Sequence, residues 1–197
     1  MRISSNSSRA QLLERLRLLE GKLELGCELE LYRFINPRFS KAHDIIGGTG
    51  GLHASGRWNL GGEFRISYTS LVPETALAEV LAHVRYFNLP LSRAMPTVLV
   101  ALGLKARRVL DFRSSSIRAA LKLSPDAIRK IDWRLKNQDN LEALTQAWGW
   151  TFAEAGLEAV IVLSGADSKG ANVLVYPGNL LPGSRFFVKS AVRWPGK

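Results

Sequence analysis

The clearest alternation of apolar and polar positions lies in the middle of the chain. Phe64, Ile66 and Tyr68 alternate with Arg65, Ser67 and Thr69, which predicts a short strand with one face buried. Before it, glycines flank an Arg-Trp-Asn turn at Gly56–Asn59. After it, a helix opens at Pro73, where the missing proline N–H costs nothing, and Ser70 or Thr69 could accept from the free amides of its first turn. On a 3.6-residue wheel Leu77, Val80, Leu81, Val84 and Phe87 form the core stripe of this helix, while Glu74 and Arg85 point to water. Glu79 belongs to neither face. It projects from the flank beside Ala76, Ala82, His83 and Tyr86, with no Lys or Arg three or four residues away. Such a carboxylate either meets a cation from elsewhere in the fold or is held for chemistry. Most helical glutamates are solvated, so the helix alone favours the first reading.

The remaining pattern predicts an α+β fold of mainly short strands. Ser8–Lys22 reads as an amphipathic helix with Leu12, Leu13, Leu16, Leu19 and Leu23 at helical spacing. This predicts an N-terminal helical extension over 1–26, packed on a domain spanning 27–197. Cys27–Phe34 reads as a strand with Leu29, Leu31 and Arg33 on one face and Glu30, Tyr32 and Phe34 on the other. Asn36–Gly56 is an irregular, glycine-rich segment. Pro96–Leu104 and Arg108–Phe112 read as two strands. Ser124-Pro125-Asp126 caps a helix running through Ile128, Ile131, Trp133 and Leu135. Asp139–Glu142 has the spacing of a capping box for a helix that ends at Gly156. Glu158–Leu163, Asn172–Tyr176 and Ser184–Arg193 complete the strands, and no internal repeat is present.

Composition removes several classes of function. The chain has 197 residues, 46% of them apolar and 22% charged, enough for a sizeable core. No apolar run is long enough to span a membrane, and the first residues lack a signal-peptide core, so a cytoplasmic location is expected. A single cysteine, Cys27, excludes an internal disulfide and a cysteine-built zinc site, and is expected to be a buried, inert thiol. The three histidines, His43, His53 and His83, have no paired-ligand spacing, so no metal is expected. The formal charge of +10 asks for an anionic partner. No nucleic-acid-binding module accompanies that charge, which argues against direct nucleic-acid binding as the function.

Two features carry candidate chemistry besides Glu79. Arg33 is the odd member of an apolar strand face, and an arginine there needs an anion, either a structural carboxylate or a bound ligand. The glycines around Thr49 match neither a Walker loop nor a dinucleotide fingerprint, and read as a close backbone approach or a mobile rim. Trp58 reads as a core aromatic, Asn59 as a turn former, and His83 as a local hydrogen-bonding group.

Taken together, L-Y-R at Leu31–Arg33, G-R-W-N at Gly56–Asn59, Y-T-S at Tyr68–Ser70 and A-L-A-E-V-L-A-H at Ala76–His83 resemble a RES-domain protein. So does the strand, serine, polar loop and strand at Val160–Tyr176; the likeness covers roughly Leu31–Pro177. The family is named for an arginine, a glutamate and a serine. The resemblance implies an ADP-ribosyltransferase-like fold of split small sheets with NAD+ in the cleft, as substrate and not as cofactor. It also implies a toxin that degrades NAD+ by hydrolysis or phosphorolysis and is restrained by a helix-turn-helix, Xre-like antitoxin. It assigns catalytic roles to Arg33, Glu79 and Ser164, with Ser168 as the alternative serine, and substrate contacts to Arg57 and Tyr68. ADP-ribosylation of a protein target is the other enzymatic reading, and a nucleic-acid-binding protein without activity the non-enzymatic one. Self-association into a homodimer stays open.

Overall fold

The computed structural model describes residues 3–19, 21, 24–93, 95 and 97–194. In chain order its helices and strands are α1 (Arg9–Arg17), β1 (Glu24–Ile35), α2 (Ala42–Ile46), α3 (Gly50–His53), β2 (Ser67–Ser70), α4 (Pro73–Tyr86), β3 (Thr97–Asp111), α5 (Ser115–Leu121), α6 (Pro125–Lys130), α7 (Trp133–Gln138), α8 (Leu144–Glu154), β4 (Ala159–Leu163), β5 (Ala171–Val175) and β6 (Arg185–Trp194). The fold is α+β.

All six strands join one sheet in the order β1-β2-β5-β4-β3-β6, and β3 also pairs with β1. Five strands therefore close into a ring, with β6 added outside on β3. The two long strands β1 and β3 run antiparallel from Glu24 opposite Val109 to Ile35 opposite Val98. By contrast β1 meets β2 at one register pair, Tyr32 opposite Ser70, so the ring is close to split at that seam. Helix α4 packs against the three strands around it, β1, β2 and β5.

Alternation along the strands builds a core on each face. One holds Leu31 and Ile35 of β1, Val100, Leu102 and Leu104 of β3, Ile161 of β4, and Val173 and Val175 of β5. The other holds Val160, Val162 and Leu174 under a helical layer that contributes Leu121, Ile128, Trp148 and Phe152. Leu12, Leu16 and Leu19 of the N-terminal segment are buried in this second core. At about 1.5–3 kcal/mol per buried leucine, that contact is enough to dock α1. Leu23 lies outside the described residues.

Several expectations are corrected. The expected strands 96–104 and 108–112 are one continuous β3. Exposed Lys105 and Arg107 look like a break in sequence but occupy the outer face of a strand whose Ala106 is buried. The predicted helix through Leu135 is two helices. Ser124 caps the first by accepting from Ala127 N, and Asp132 breaks in to cap the second by accepting from Arg134 N and Leu135 N. Helix α8 begins at Leu144, after the expected capping box: Glu142 pairs with Arg9, and Gln146 serves the helix start by accepting from Ala143 N at 2.9 Å. Gly156 does end that helix, at φ 70°. Cys27 is half-buried, not buried.

Helix α4 also differs in detail. Neither Thr69 nor Ser70 caps it: their hydroxyls donate instead to Val173 O and Asn172 Oδ1 on the neighbouring strand. Of the expected core stripe Val84 is buried, whereas Phe87 is 49% exposed beyond the last turn. The helix stops in a Schellman arrangement, with Asn88 at φ 49° and Leu89 N donating to Val84 O.

Candidate active site

The site is built where the Gly56–Asn59 turn, α4, and the loop between β4 and β5 converge. Asn59 organises the turn. Its side chain is buried, donates to Gly51 O and Ala54 O at 2.9 and 3.0 Å, and accepts from the Tyr68 hydroxyl at 2.8 Å. The same hydroxyl accepts from Trp58 N at 2.9 Å. A side chain at Gly56 would meet the Tyr68 oxygen at 2.6 Å, so glycine is required for this approach. Trp58 is anchored in the core against Phe152, at 6.2 Å between ring centroids. Both turn residues thus behave as the sequence predicts, and the turn is rigid.

That rigidity aims Arg57. Its Nη1 donates to Ile128 O and Ile131 O at 2.6 and 3.0 Å, and the guanidinium lies against Gly165, where an added Cβ would sit 3.3 Å from Nη2. Burial lowers the Arg57 guanidinium from the usual arginine value, with Glu79 pulling it back up and Arg134 adding to the lowering. Tyr68 is pushed up by burial, opposed by the Trp58 amide and Arg57. The hydroxyl of Tyr68 is committed to the turn, and its partly buried ring packs at the edge of the helix-covered core.

Glu79 is held by the far end of the chain. Its Oε1 accepts from Ser164 Oγ and from Asn172 Nδ2, each at 2.6 Å. No cation pairs with it directly among the described residues, so the boundary-glutamate reading, which asked for one, is not what the fold provides. Ser164 is fully buried, directly after β4. Its oxygen accepts from Ala166 N and Asp167 N at 3.1 and 3.0 Å, which leaves its proton for Glu79. This is the geometry of a serine that orients a carboxylate. Asp167 then ties the loop to the start of α4 by accepting from Thr75 Oγ1 at 2.7 Å. A side chain at Gly170 would strike both partners, at 2.3 and 2.4 Å. Ser168, the alternative serine, is exposed, and its carbonyl accepts from Arg129.

Of the residues singled out in sequence, Arg57, Tyr68, Glu79 and Ser164 are gathered here. Arg33 is not in contact with them. It lies on the Leu31–Ile35 face of β1, where Nη1 donates to Ser67 Oγ at 3.0 Å and Ile45 O at 3.4 Å, and burial lowers it from the usual arginine value. No carboxylate pairs with it among the described residues. Asn172 and Thr75 were not anticipated. The signal for Asn172 was an amide inside the otherwise apolar strand A-N-V-L-V; Thr75 gave none. At the rim, Arg134 lies over the rings of Trp133 and Tyr86, 4.3 and 4.4 Å from their centroids. His83, beside it, is lowered by burial and then by Arg134. Among the described residues no cluster of His, Cys, Asp or Glu could hold a metal ion.

The family model of the RES domain matches residues 30–193, and the chain belongs to that family. No curated protein matches it in sequence. Among solved structures it is similar to a chain of the M. tuberculosis MbcT-MbcA toxin-antitoxin complex, with a TM-score of 0.72 and 20% identity over 92% of this chain and 91% of that one.

Proposed function

We propose that this chain is the toxin of a bacterial toxin–antitoxin pair and that it destroys NAD+ by breaking the bond between nicotinamide and ribose. The observation that carries the reading is the setting of Glu79, a carboxylate held on one oxygen by two neutral donors and near enough to the half-buried Arg57 to raise its pKa through space. Membership of the RES family and the likeness to a chain of a toxin–antitoxin complex support the toxin role.

The chemistry follows from charge. As the C1′–N1 bond breaks, its electron pair leaves with nicotinamide, which becomes neutral, and the ribose becomes oxocarbenium-like. A carboxylate fixed beside the sugar stabilises that charge. Water adding at C1′ releases a proton and gives ADP-ribose; inorganic phosphate gives the corresponding phosphate ester. Arg57 is assigned to the pyrophosphate, for which a guanidinium is a forked donor. The Tyr68 ring is assigned to the nicotinamide or its ribose, and Ser164 to orienting Glu79. Arg33 is assigned to shaping the seam between β1 and β2.

Among the described residues no helix is long and apolar enough to cross a membrane. The cytoplasm, where NAD+ is abundant, is the expected site of action. The net charge of +10 suits an acidic partner surface, and a helix-turn-helix antitoxin is the expected restraint.

The test is NAD+ loss on incubation with the purified protein, with and without phosphate, beside Glu79→Gln. Loss of NAD+ that the variant abolishes is expected, and a phosphate requirement separates phosphorolysis from hydrolysis. Label from NAD+ appearing on protein would replace this reading by ADP-ribosyl transfer. Survival of NAD+ together with steeply salt-dependent DNA binding would replace it by the nucleic-acid reading.

A further inference from the structure

Ser70 and Asn172 face each other across the β2–β5 ladder, as directly paired residues on one face of the sheet. Ser70 is buried and donates its proton to Asn172 Oδ1 at 2.8 Å. A carboxylate only accepts, so the NH2 group of the amide must be turned toward the carboxylate of Glu79 and its oxygen toward Ser70, whose proton then holds that orientation. The NH2 group meets Glu79 Oε1 at 2.6 Å. Ser164 donates to the same oxygen at the same distance, from a hydroxyl already saturated as an acceptor by two backbone amides.

Both donors thus converge on Oε1, and no described residue donates to Oε2. Two fixed donors on one oxygen define the carboxylate plane. A free carboxylate on a helix flank would rotate about its terminal torsion, which is broad. Strand pairing instead sets where Asn172 stands, opposite Ser70 on the neighbouring strand.

We propose that Ser70 and Asn172 form a positioning relay for Glu79, turning Oε2 toward the reacting sugar. The relay rests on the NAD+-cleaving reading for its catalytic consequence, but its geometry stands apart from it. Neither residue touches substrate in this assignment; both act through Glu79. Because the alignment matters in the transition state more than in binding, its loss falls on kcat and spares KM.

Two measurements on the full chain test this. In kinetics with NAD+, Asn172→Asp keeps the shape but replaces the donor by an acceptor, and kcat is expected to fall at least 100-fold with KM within threefold. Ser70→Ala is expected to cost five- to tenfold in kcat alone, and nothing when added to Asn172→Ala, since it acts only through that amide. An active wild type with Asn172→Asp unimpaired, or additive losses in the double variant, overturns the relay. In the second measurement, the Asn172 side-chain amide is followed by NMR. It is expected to be protected from exchange, to shift in Glu79→Gln, and to lose protection in Ser70→Ala. These amide responses with no NAD+ turnover by the wild type would support the relay's geometry and overturn the NAD+ reading. An unprotected amide that is indifferent to Glu79→Gln overturns the relay whatever the activity.

Discussion

Glu142 and Glu79 are both satisfied by residues from remote parts of the chain, and they are completed in opposite ways. Glu142 is closed. Arg9 Nη2 reaches its Oε1 at 2.6 Å and Arg9 Nε its Oε2 at 2.9 Å, Asn6 N adds a third donor at 2.6 Å, and the carboxylate side chain has no exposure. Arg9 in turn bridges to Glu63 and lies over the Trp150 ring. Glu79 has two neutral donors on one oxygen, and it raises the pKa of the nearby Arg57 through space without an ion pair among the described residues. A cation on both oxygens makes a joint between the N-terminal segment and the body of the fold. Neutral donors on one oxygen hold a carboxylate in place while leaving its charge available. The difference separates a carboxylate that holds the fold from one suited to chemistry.

The comparison can be broken from the structural side first. Glu142→Ala leaves Arg9 half-buried without its main partner, and unfolding stability should fall by about 3 kcal/mol by the usual cost of breaking a buried pair. Activity per folded molecule should stay within twofold. A denaturant melt and an NAD+ assay on the same sample check both, and an activity loss exceeding the stability loss would dissolve the distinction.

Glu158 offers a second structural carboxylate and a dependence on pH. Burial works to raise it, but hydrogen bonds, among them those from the backbone amides of Leu181, Arg108 and Arg107, outweigh burial and hold it below the ordinary carboxylate value. A carboxylate whose folded value is depressed contributes stability above its unfolded value and loses it as pH falls through the folded one. Wild type should therefore be more stable than Glu158→Gln at pH 6, by about 1.5–3 kcal/mol for hydrogen bonds to a charged group. The gap should close toward pH 3. Urea midpoints across that range check it, and a gap that widens in acid would show the sign to be wrong.

The smallest effect sharpens the catalytic side. Ser168→Ala should leave kcat/KM within twofold, whereas Ser164→Ala removes a donor to Glu79 and should lower it at least tenfold. Equal losses in the two variants would mean that the loop as a whole, and not the Ser164 hydroxyl, serves Glu79.

Much of this contrast was half visible in the sequence. Glu79 stood out because its helix supplies no cation, and that observation holds. What it bonds to could not be read, because Ser164 and Asn172 lie 85 and 93 residues away. The spacing of Asp139–Glu142 predicts a capping box that the fold does not form. Glu142 turns instead to a half-buried arginine 133 residues earlier, and Gln146 accepts from Ala143 N in its place. The two arginines show the same limit. Alternation put Arg33 on the Leu29–Leu31 face, where it is found, but not on which side of the sheet the glutamate would stand.

By itself the sequence determined what depends on neighbours along the chain: the strand around Tyr68, the helix from Pro73, the Ser124 cap, the end at Gly156, and the oddness of Glu79. Periodicity and capping are local, so they survive without the rest of the fold. Tertiary pairing alone makes β3 run unbroken and closes the sheet through a seam of one register pair between β1 and β2. Only the tertiary structure, too, decided that an amide from β5 and a serine after β4 meet a carboxylate from α4. Those contacts are fixed by strand pairing and by the need of buried polar groups for partners, and both act between residues that the sequence keeps far apart.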